Sequence, residues 1–353
     1  KEELMEDDEY ETPKDSDQRA PQRGRVHIAS LFEESLLDSI NDEVTEYRRV
    51  LIVANTVPRA VRAYKKINQI RNDIVLLHSR LIRITRERRE SRLHEIKKEN
   101  GNLCLIATQV VEAGLDISFD LVISEMAPIE PLLQRLGRAA RRKGERGVAI
   151  ICNYEGYPYR EEVIEAAISA ISSPKDVEVA VTDLKSAREL IDNQYKELAN
   201  DIRWESVRAV LGDPQDINIL KREIWNINPL RPPIDSKIIR AREDVYVTLL
   251  LPDKELLSNL SQEPVIELKK AHFDKSFNVR FSVIRGKRDP FYINGKGPWE
   301  VRTFYDPESK RTLWRVIGTD KIRPWRTYIL NPNFYLIEQG YELGLVSFKE
   351  GEK

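Results

Sequence analysis

The stretch LCLIATQ (103–109) decides the fold class of the first half of the chain. Five apolar residues follow one another, and two polar residues, Thr108 and Gln109, come directly after them. A continuous apolar run, as opposed to an alternating one, is typical of a parallel strand buried on both faces. Because parallel strands are joined by long crossover connections, usually helices, the run predicts an α/β domain.

Five further apolar runs lie on either side of this strand, and helix-like segments separate several of them. Pro58–Ile67 has proline in its first turn, and Thr85–Lys98 has Thr85 as a candidate amino-terminal cap. Alternating strands and helices predict a doubly wound parallel sheet. The further runs are VHIAS (26–30), RVLIVA (49–54), IVLL (74–77), DLVIS (120–124) and GVAIIC (147–152).

The 353 residues are enough for two domains and a connector. Residues 1–24 are acidic and are expected to form a tail or linker that continues a longer protein, and residues 25–155 are expected to form the sheet domain. Apolar positions that recur every three or four residues predict a helical connector over 156–222, with 159–211 helical.

Residues 223–353 are predicted to form a smaller, strand-rich accessory domain. The segment WEVRTFYDPESKRTLWRVIG (299–318) favours a hairpin, because Asp306 and Pro307 separate two alternating arms. The other predicted strands are DVYVTLLL (244–251), VIELKK (265–270) and FNVRFSVIRG (277–286).

Composition indicates a soluble, cytoplasmic protein. No apolar run approaches the roughly 20 residues that a bilayer requires. Cys104 and Cys152 lie inside apolar runs and are expected to be buried thiols. The four histidines are widely spaced, so no metal site is predicted.

The net charge of −1 conceals strong segregation of charge along the chain. Residues 1–18 carry nine acidic and two basic side chains, whereas residues 135–146 carry six basic and one acidic. Residues 280–326 carry twelve basic and five acidic side chains. Such clusters favour an anionic partner, with a solvated basic face as the alternative.

Polar side chains follow three of the predicted strands. The carboxyl ends of parallel strands meet at one edge of a sheet, where ligands bind. Hydroxyl, amide and guanidinium groups suit the phosphates of a nucleic-acid backbone, although Ser, Thr and Asn at such positions also cap helices. The residues are Asn55 and Thr56, His78, Ser79 and Arg80, and Thr108 and Gln109.

The segment PLLQRLGRAARRKGERG (131–147) concentrates arginine. If the segment is a single helix, Arg135, Arg138 and Arg142 share one face. Because stacked like charges destabilise a helix, this face is expected to meet an anion such as a terminal phosphate. The alternative is a solvated basic face.

These segments resemble a known family. Gln134-Arg135-x-Gly137-Arg138-x-x-Arg141 resembles motif VI of superfamily 2 helicases, ATQVVEAGLDI (107–117) resembles motif V, and LIVANT (51–56) resembles motif IV. The order of LLHSRL, ATQVVEAGLDISFD and SEMAPIEPLLQRLGR is similar to the helicase part of the CRISPR-associated helicase–nuclease of type I interference systems. The ending YILNPNFYLIEQGYELGL (328–345) is similar to the carboxyl-terminal domain of that family.

The resemblance implies a second RecA-like motor domain of an ATP-dependent single-stranded DNA translocase. Arg138 and Arg141 would be arginine fingers for the γ-phosphate, and Gln134 would couple hydrolysis to the first motor domain. Gly114 and Asp116 would lie beside the nucleotide. The residues implied to hold the DNA strand are Asn55, Thr56, His78, Arg80 and Thr108.

The sequence also departs from a complete motor. It has no GxxxxGK[ST] loop, no DEAH-type sequence and no His-Asp dipeptide. ATP with Mg²⁺ is therefore expected to be held mainly by the first motor domain, and the chain alone is expected to be inactive. The implied partners are that domain, an HD-type nuclease and the CRISPR RNA-guided surveillance complex, with no membrane. An RNA or repair helicase, or a non-catalytic binding module, is the alternative.

A second candidate DNA surface lies in the basic stretch 280–326, where aromatic residues alternate with arginines. Bases stack on aromatic rings while basic groups follow the phosphates. The alternative is an ordinary strand-rich core with a wet basic face. The residues proposed for this surface are Trp299, Arg302, Phe304, Trp314 and Arg315.

Overall fold

The computed structural model describes residues 24–112, 116–198, 246–260, 266–307 and 311–346. The first part is a six-stranded parallel sheet with the spatial order β1-β6-β5-β2-β4-β3. Every strand predicted for this part is present, and each begins and ends within one residue of its predicted bounds. The α/β interpretation is therefore confirmed. The strands are β1 Arg25–Leu31, β2 Arg49–Val53, β3 Ile74–Leu77, β4 Leu103–Ala107, β5 Leu121–Glu125 and β6 Arg146–Cys152.

Helices cover both faces of this sheet, which makes it doubly wound. Helix α1 packs on one face, and α3 with α4–α6 packs on the other, each over its own apolar core. Both cysteines lie in these cores, and burial raises the pKa of each thiol to about 12. The helices are α1 Val57–Ile67, α2 Arg83–Glu99, α3 Ile129–Leu136, α4 Glu161–Ala170, α5 Pro174–Thr182 and α6 Leu184–Leu198.

Two of the predicted helical features are wrong. Helix α2 begins at Arg83 and has no side-chain cap, and Thr85 lies inside it. The Thr85 hydroxyl instead donates to a Glu342 carboxylate oxygen at 2.8 Å, a contact 257 residues away in sequence. Helix α3 ends at Leu136, with Gly137 at its carboxyl-terminal cap. The arginines after it therefore do not share a helix face with Arg135.

The second part is a mixed six-stranded sheet with the order β8-β11-β10-β12-β7-β9. The predicted hairpin is confirmed, since β10 pairs antiparallel with β11. The predicted strand 277–286 is half wrong, because it ends at Arg280 and a short helix follows. The elements are β7 Tyr246–Leu250, α7 Lys254–Asn259, β8 Ile266–Leu268, β9 Ser276–Arg280, α8 Phe281–Ile284, β10 Trp299–Asp306, β11 Arg311–Gly318 and β12 Thr327–Ile329.

A final hairpin, β13 Tyr335–Glu338 and β14 Tyr341–Leu345, packs against the first sheet domain. The ring of Tyr341 stacks on Tyr64 of α1 with 4.8 Å between ring centroids, and the guanidinium of Arg89 lies 4.1 Å from the centroid of the Tyr341 ring. The Tyr341 hydroxyl accepts from the Leu76 N–H at 3.0 Å. This hairpin is thereby fixed to β3. The predicted domain boundaries stay predictions, because 199–245 lies outside the described residues.

Gly344 of this hairpin lies against the Arg80 loop. Its backbone has a φ of +80°, and a Cβ there would lie 2.6 Å from the carbonyl oxygen of Arg80. Gly340 has the same φ of +80°, but a Cβ there would meet nothing within 4 Å. The two glycines thus share the backbone conformation and differ in the space around them.

We expect Gly344→Ala to destabilise the protein more than Gly340→Ala. Left-handed backbone costs a non-glycine residue roughly 1–2 kcal/mol at either position. Only Gly344→Ala adds the clash with Arg80, so its urea midpoint should fall further. Equal decreases in the urea midpoint of the two variants would show that a side chain at position 344 does not clash with the Arg80 loop.

Candidate nucleic-acid interface

A cleft of about 550 Å³ opens at the carboxyl ends of the parallel strands. One wall consists of the loops that follow β2, β3 and β4, and the other consists of β9 and the start of β7. The two sheets therefore build the cleft together. Its polar lining includes Thr56, Ser79, Arg80, Thr108, Gln109, Tyr246, Asn278 and Arg280.

The charged side chains among the described residues that line the cleft are all basic. Among the described residues that line it, four are arginines (Arg80, Arg83, Arg86 and Arg280) and none is Asp or Glu. Arg83 pairs with Asp274, and Arg86 lies 3.5 Å from a Glu90 oxygen, and both carboxylates lie outside the cleft lining. On the described walls of the cleft, an anion would meet four guanidinium groups and no carboxylate.

Arg80 shows the electrostatic consequence. Burial, with a smaller contribution from the charge of Arg280, lowers the pKa of Arg80 to about 10. The guanidinium remains charged at neutral pH, and it donates at 3.4 Å to the carbonyl of Val346. A bound anion would stabilise the charged form, because an opposite charge raises the pKa of a cation.

The loop before α4 closes one side of the cleft with Tyr157 and Pro158. Arg59 on α1 holds this loop in place, since its guanidinium donates to the carbonyl oxygens of Gly156 at 3.0 Å and Tyr157 at 2.8 Å. Arg59 also pairs with the fully buried carboxylate of Glu125 at 2.5 Å.

The sequence-predicted DNA contacts line the cleft, support it or, in the case of Asn55, do both. Thr56 and Thr108 line the cleft, and Thr56 also accepts a capping hydrogen bond from the Arg59 N–H at 3.4 Å. The Asn55 side chain is committed to the fold: its amide donates to the Met126 carbonyl at 2.7 Å, and its oxygen accepts from Arg135 at 2.9 Å.

His78 is fully buried below the cleft. Its Nδ1 accepts from the Arg80 N–H at 3.2 Å, so Nε2 carries the proton and donates to the Leu343 carbonyl at 3.0 Å. Burial lowers the pKa of His78 to about 3, and the ring is neutral at physiological pH. His78 thus orients the Arg80 loop and joins it to the carboxyl-terminal hairpin.

Arg135 links the cleft floor to the arginine segment. Its guanidinium is fully buried, and its Nε donates to Glu112 at 2.9 Å. Nη1 donates to Asn55 at 2.9 Å and to the Glu125 carbonyl at 3.2 Å, and Nη2 donates to the Tyr159 hydroxyl at 3.1 Å. Arg135 is therefore an internal residue and not part of an exposed basic face.

Arg138 and Arg141 follow in a segment whose backbone is hydrogen-bonded to Ser118 and Phe119. The Phe119 N–H donates to the Arg138 carbonyl at 3.0 Å, and the Arg141 N–H donates to the Ser118 hydroxyl at 2.9 Å. Nη2 of Arg138, a nearly buried residue, donates to the Glu112 carbonyl at 2.6 Å. The backbone that carries both arginines is therefore fixed by tertiary contacts.

Asp116 lies beside Arg141 at an exposed edge of the domain. Its carboxylate is 3.1 Å from the Arg141 Nε and 2.5 Å from the Lys97 Nζ, and the hydrogen bond from Lys97 lowers its pKa. Gln134 is exposed and lies 3.5 Å from Glu130. Gly114 lies outside the described residues.

The basic hairpin places its two tryptophans on one face and its arginines, together with Phe304, on the other. Trp299 and Trp314 pack against an apolar core, and Trp314 meets Phe273 with centroids 5.2 Å apart. Arg302 and Arg315 are paired across β10 and β11, and Arg315 lies 5.6 Å from the ring of the exposed Phe304. The structure brings Arg302, Phe304 and Arg315 together and leaves the two tryptophans on the core side.

Several lining residues of the cleft carried no signal in the sequence. Tyr246, Asn278 and Arg280 come from β7 and β9, which reach the cleft only because the second sheet lies over the first domain. Arg280 does fall at the start of the basic stretch that charge counting identified.

The arginine segment contains Arg138 and Arg141, and a guanidinium group is a planar donor that binds phosphate. Among the residues with described positions, no three His, Cys, Asp or Glu side chains are grouped so as to hold a metal ion. The residue types of the arginine segment suit the phosphates of ATP. In the described part of the chain, no helix is long and apolar enough to span a bilayer.

Comparison with known proteins confirms the resemblance. Residues 46–144 match the family described as CRISPR-associated nuclease/helicase Cas3, C-terminal. A CRISPR-associated nuclease/helicase Cas3 of Methanothermobacter thermautotrophicus is 28% identical over 321 residues, which cover 79% of this chain and 38% of that protein. A CRISPR-associated nuclease/helicase Cas3 of Streptococcus thermophilus is 37% identical over 127 residues, which cover 34% of this chain and 14% of that protein.

The fold is also shared with a solved structure. The crystal structure of T. fusca Cas3-ATP superposes with a TM-score of 0.52 at 17% identity, covering 78% of this chain and 38% of that one. Over residues 46–144, this chain is similar to the C-terminal part of the Cas3 family. It spans about four tenths of the length of the Methanothermobacter relative.

Proposed function

We propose that this chain is the second half of an ATP-dependent single-stranded DNA translocase that acts in CRISPR type I interference. The first motor domain would hold ATP and Mg²⁺, and this chain would supply the arginine cleft for the strand and Arg138 and Arg141 for the γ-phosphate. An HD-type nuclease and the CRISPR RNA-guided surveillance complex would be its partners. The names and activities of the Cas3 relatives support this proposal.

One loop contacts both the cleft and Arg138, the proposed arginine finger. The segment after β4 contributes Thr108, Gln109 and Val110 to the cleft, and four residues after Thr108 the Glu112 carbonyl holds Arg138. Glu112 is also bound through its carboxylate to the buried Arg135. A DNA strand that displaces this loop would therefore move the Glu112 carbonyl that holds Arg138. Movement of this contact would couple DNA binding to the nucleotide.

The cleft suits a strand that is held without sequence preference. Its lining offers guanidinium, hydroxyl and amide groups, which bind phosphate oxygens. Arg80, on the loop after β3, and Arg280 of β9 both line the cleft. Gln134 is exposed at the end of α3, where it could meet the first motor domain.

We expect Arg80→Ala and Arg280→Ala each to weaken binding of oligo-dT by the chain. Each change removes about one phosphate contact, so the log–log salt slope should become less steep by about 0.7. The measurement is fluorescence anisotropy across a salt series. Arg188→Ala is the control, because its side chain is 85% exposed on α6 and does not line the cleft. Unchanged slopes in both cleft variants would place the strand elsewhere.

A second prediction concerns catalysis in the complete motor, assembled with the first motor domain. We expect Arg138→Ala and Arg141→Ala to lower DNA-stimulated ATP turnover by about 10³–10⁵-fold, since arginine fingers neutralise the charge that develops in the transition state. At about 1.4 kcal/mol per tenfold change, this equals roughly 4–7 kcal/mol. DNA affinity should change little.

Arg142→Ala is the matched control, because Arg142 is exposed in the same segment and should not affect turnover. This chain without the first motor domain should show no ATP turnover above background. Normal turnover together with weak DNA binding in the Arg138 and Arg141 variants would assign both arginines to the DNA. DNA-stimulated turnover by this chain alone would contradict the half-motor.

A further inference from the structure

An exposed pair of aromatic rings lies at the mouth of the arginine cleft. Trp325 is 70% exposed and Tyr246 is 37% exposed, and their ring centroids are 6.5 Å apart. Tyr246 also lines the cleft, and it pairs with Arg280 across β7 and β9. The cleft thus continues directly into an apolar surface.

Packing does not explain why Trp325 is exposed. Burying a large apolar side chain stabilises a protein, and an indole left in water forgoes most of this gain. Trp325 also has a φ of +60°, a conformation that is uncommon and costly for a bulky residue. Strain of this kind is concentrated at functional sites.

The backbone around Trp325 is held firmly in this conformation. The Trp325 N–H donates to the Tyr246 carbonyl at 2.7 Å, and the next carbonyl, of Arg326, accepts from the Thr248 N–H at 3.0 Å. Two hydrogen bonds to β7 therefore fix the residue on both sides. The fold presents the indole to solvent at a defined place beside the cleft.

We propose that Tyr246 and Trp325 form a stacking platform for a nucleobase of the single strand whose phosphates lie in the arginine cleft. The proposal rests on the DNA-binding function proposed above. Aromatic rings bind any base through its π face, so the platform suits a strand that moves without sequence preference. The adjacent Arg280 supplies the phosphate contact that a stacked base requires nearby.

The charge around the pair favours a nucleic acid over a protein surface as the occupant. The cleft that leads to the platform is lined by four arginines and, among its described residues, by no carboxylate. A polyanion with flat apolar groups meets both features at once.

The test compares two labelled strands of equal length, oligo-dT and an abasic strand that has phosphates but no bases. Stacking of one base contributes roughly 1–3 kcal/mol. The wild-type chain should therefore bind oligo-dT about 5- to 140-fold more tightly than the abasic strand, at about 1.4 kcal/mol per tenfold change.

Trp325→Ala should remove most of this preference and leave the affinity for the abasic strand unchanged. Trp325→Phe should retain most of it, because a flat ring remains. Tyr195→Ala is the control, since Tyr195 is 52% exposed on α6 and lines a different cavity. Thermal unfolding should show nearly the same midpoint temperature for Trp325→Ala and Trp325→Phe, because neither change removes a buried side chain.

Two outcomes would overturn the platform alone. The wild-type chain could bind both strands equally, or Trp325→Ala could keep the full preference for oligo-dT, which would leave the rings for a protein partner. In either case the cleft would still bind phosphates, and the proposed function would stand. Failure of the wild-type chain to bind either strand would overturn both proposals.

Discussion

The buried guanidinium of Arg135 is the interaction on which the site depends. It is 0% exposed and joins the loops that follow β2, β4 and β5 through Asn55, Glu112 and the Glu125 carbonyl. Removing one partner of a buried charge pair typically costs 3–5 kcal/mol, because the other charge is left unpaired. The partners of Arg135 therefore set both the floor of the cleft and the position of the loop that holds Arg138.

The carboxyl-terminal hairpin imposes the second constraint. Arg80 reaches the cleft from a loop that is fixed from below by His78 and from the side by Leu345, whose N–H donates to the Arg80 carbonyl at 3.2 Å. Tyr335 adds a further contact, since its hydroxyl accepts from the Ile82 N–H at 3.1 Å. This hairpin is thus part of the support for the proposed DNA contacts, although it lies far away in sequence.

The sheet was predictable because a strand buried on both faces leaves a continuous apolar run, as LCLIA (103–107) does. The end of α3 was not. QRLGRAARR (134–142) is rich in good helix formers, but Phe119 forms a backbone bridge with Ala139, and this long-range pairing overrides local propensity. Thr85 is a similar case, because its hydroxyl bonds to Glu342 instead of capping α2.

The candidate site was predictable in position but only partly in its residues. Polar residues at strand ends do line the cleft, as Thr56 and Thr108 show, yet the Asn55 and His78 side chains are bonded inside the protein.

Hydrogen exchange of the chain with and without oligo-dT tests most directly whether the cleft binds single-stranded DNA. We expect protection of 79–83, 108–110 and 276–280, the segments that border the cleft. Protection confined to the 299–318 hairpin would contradict it.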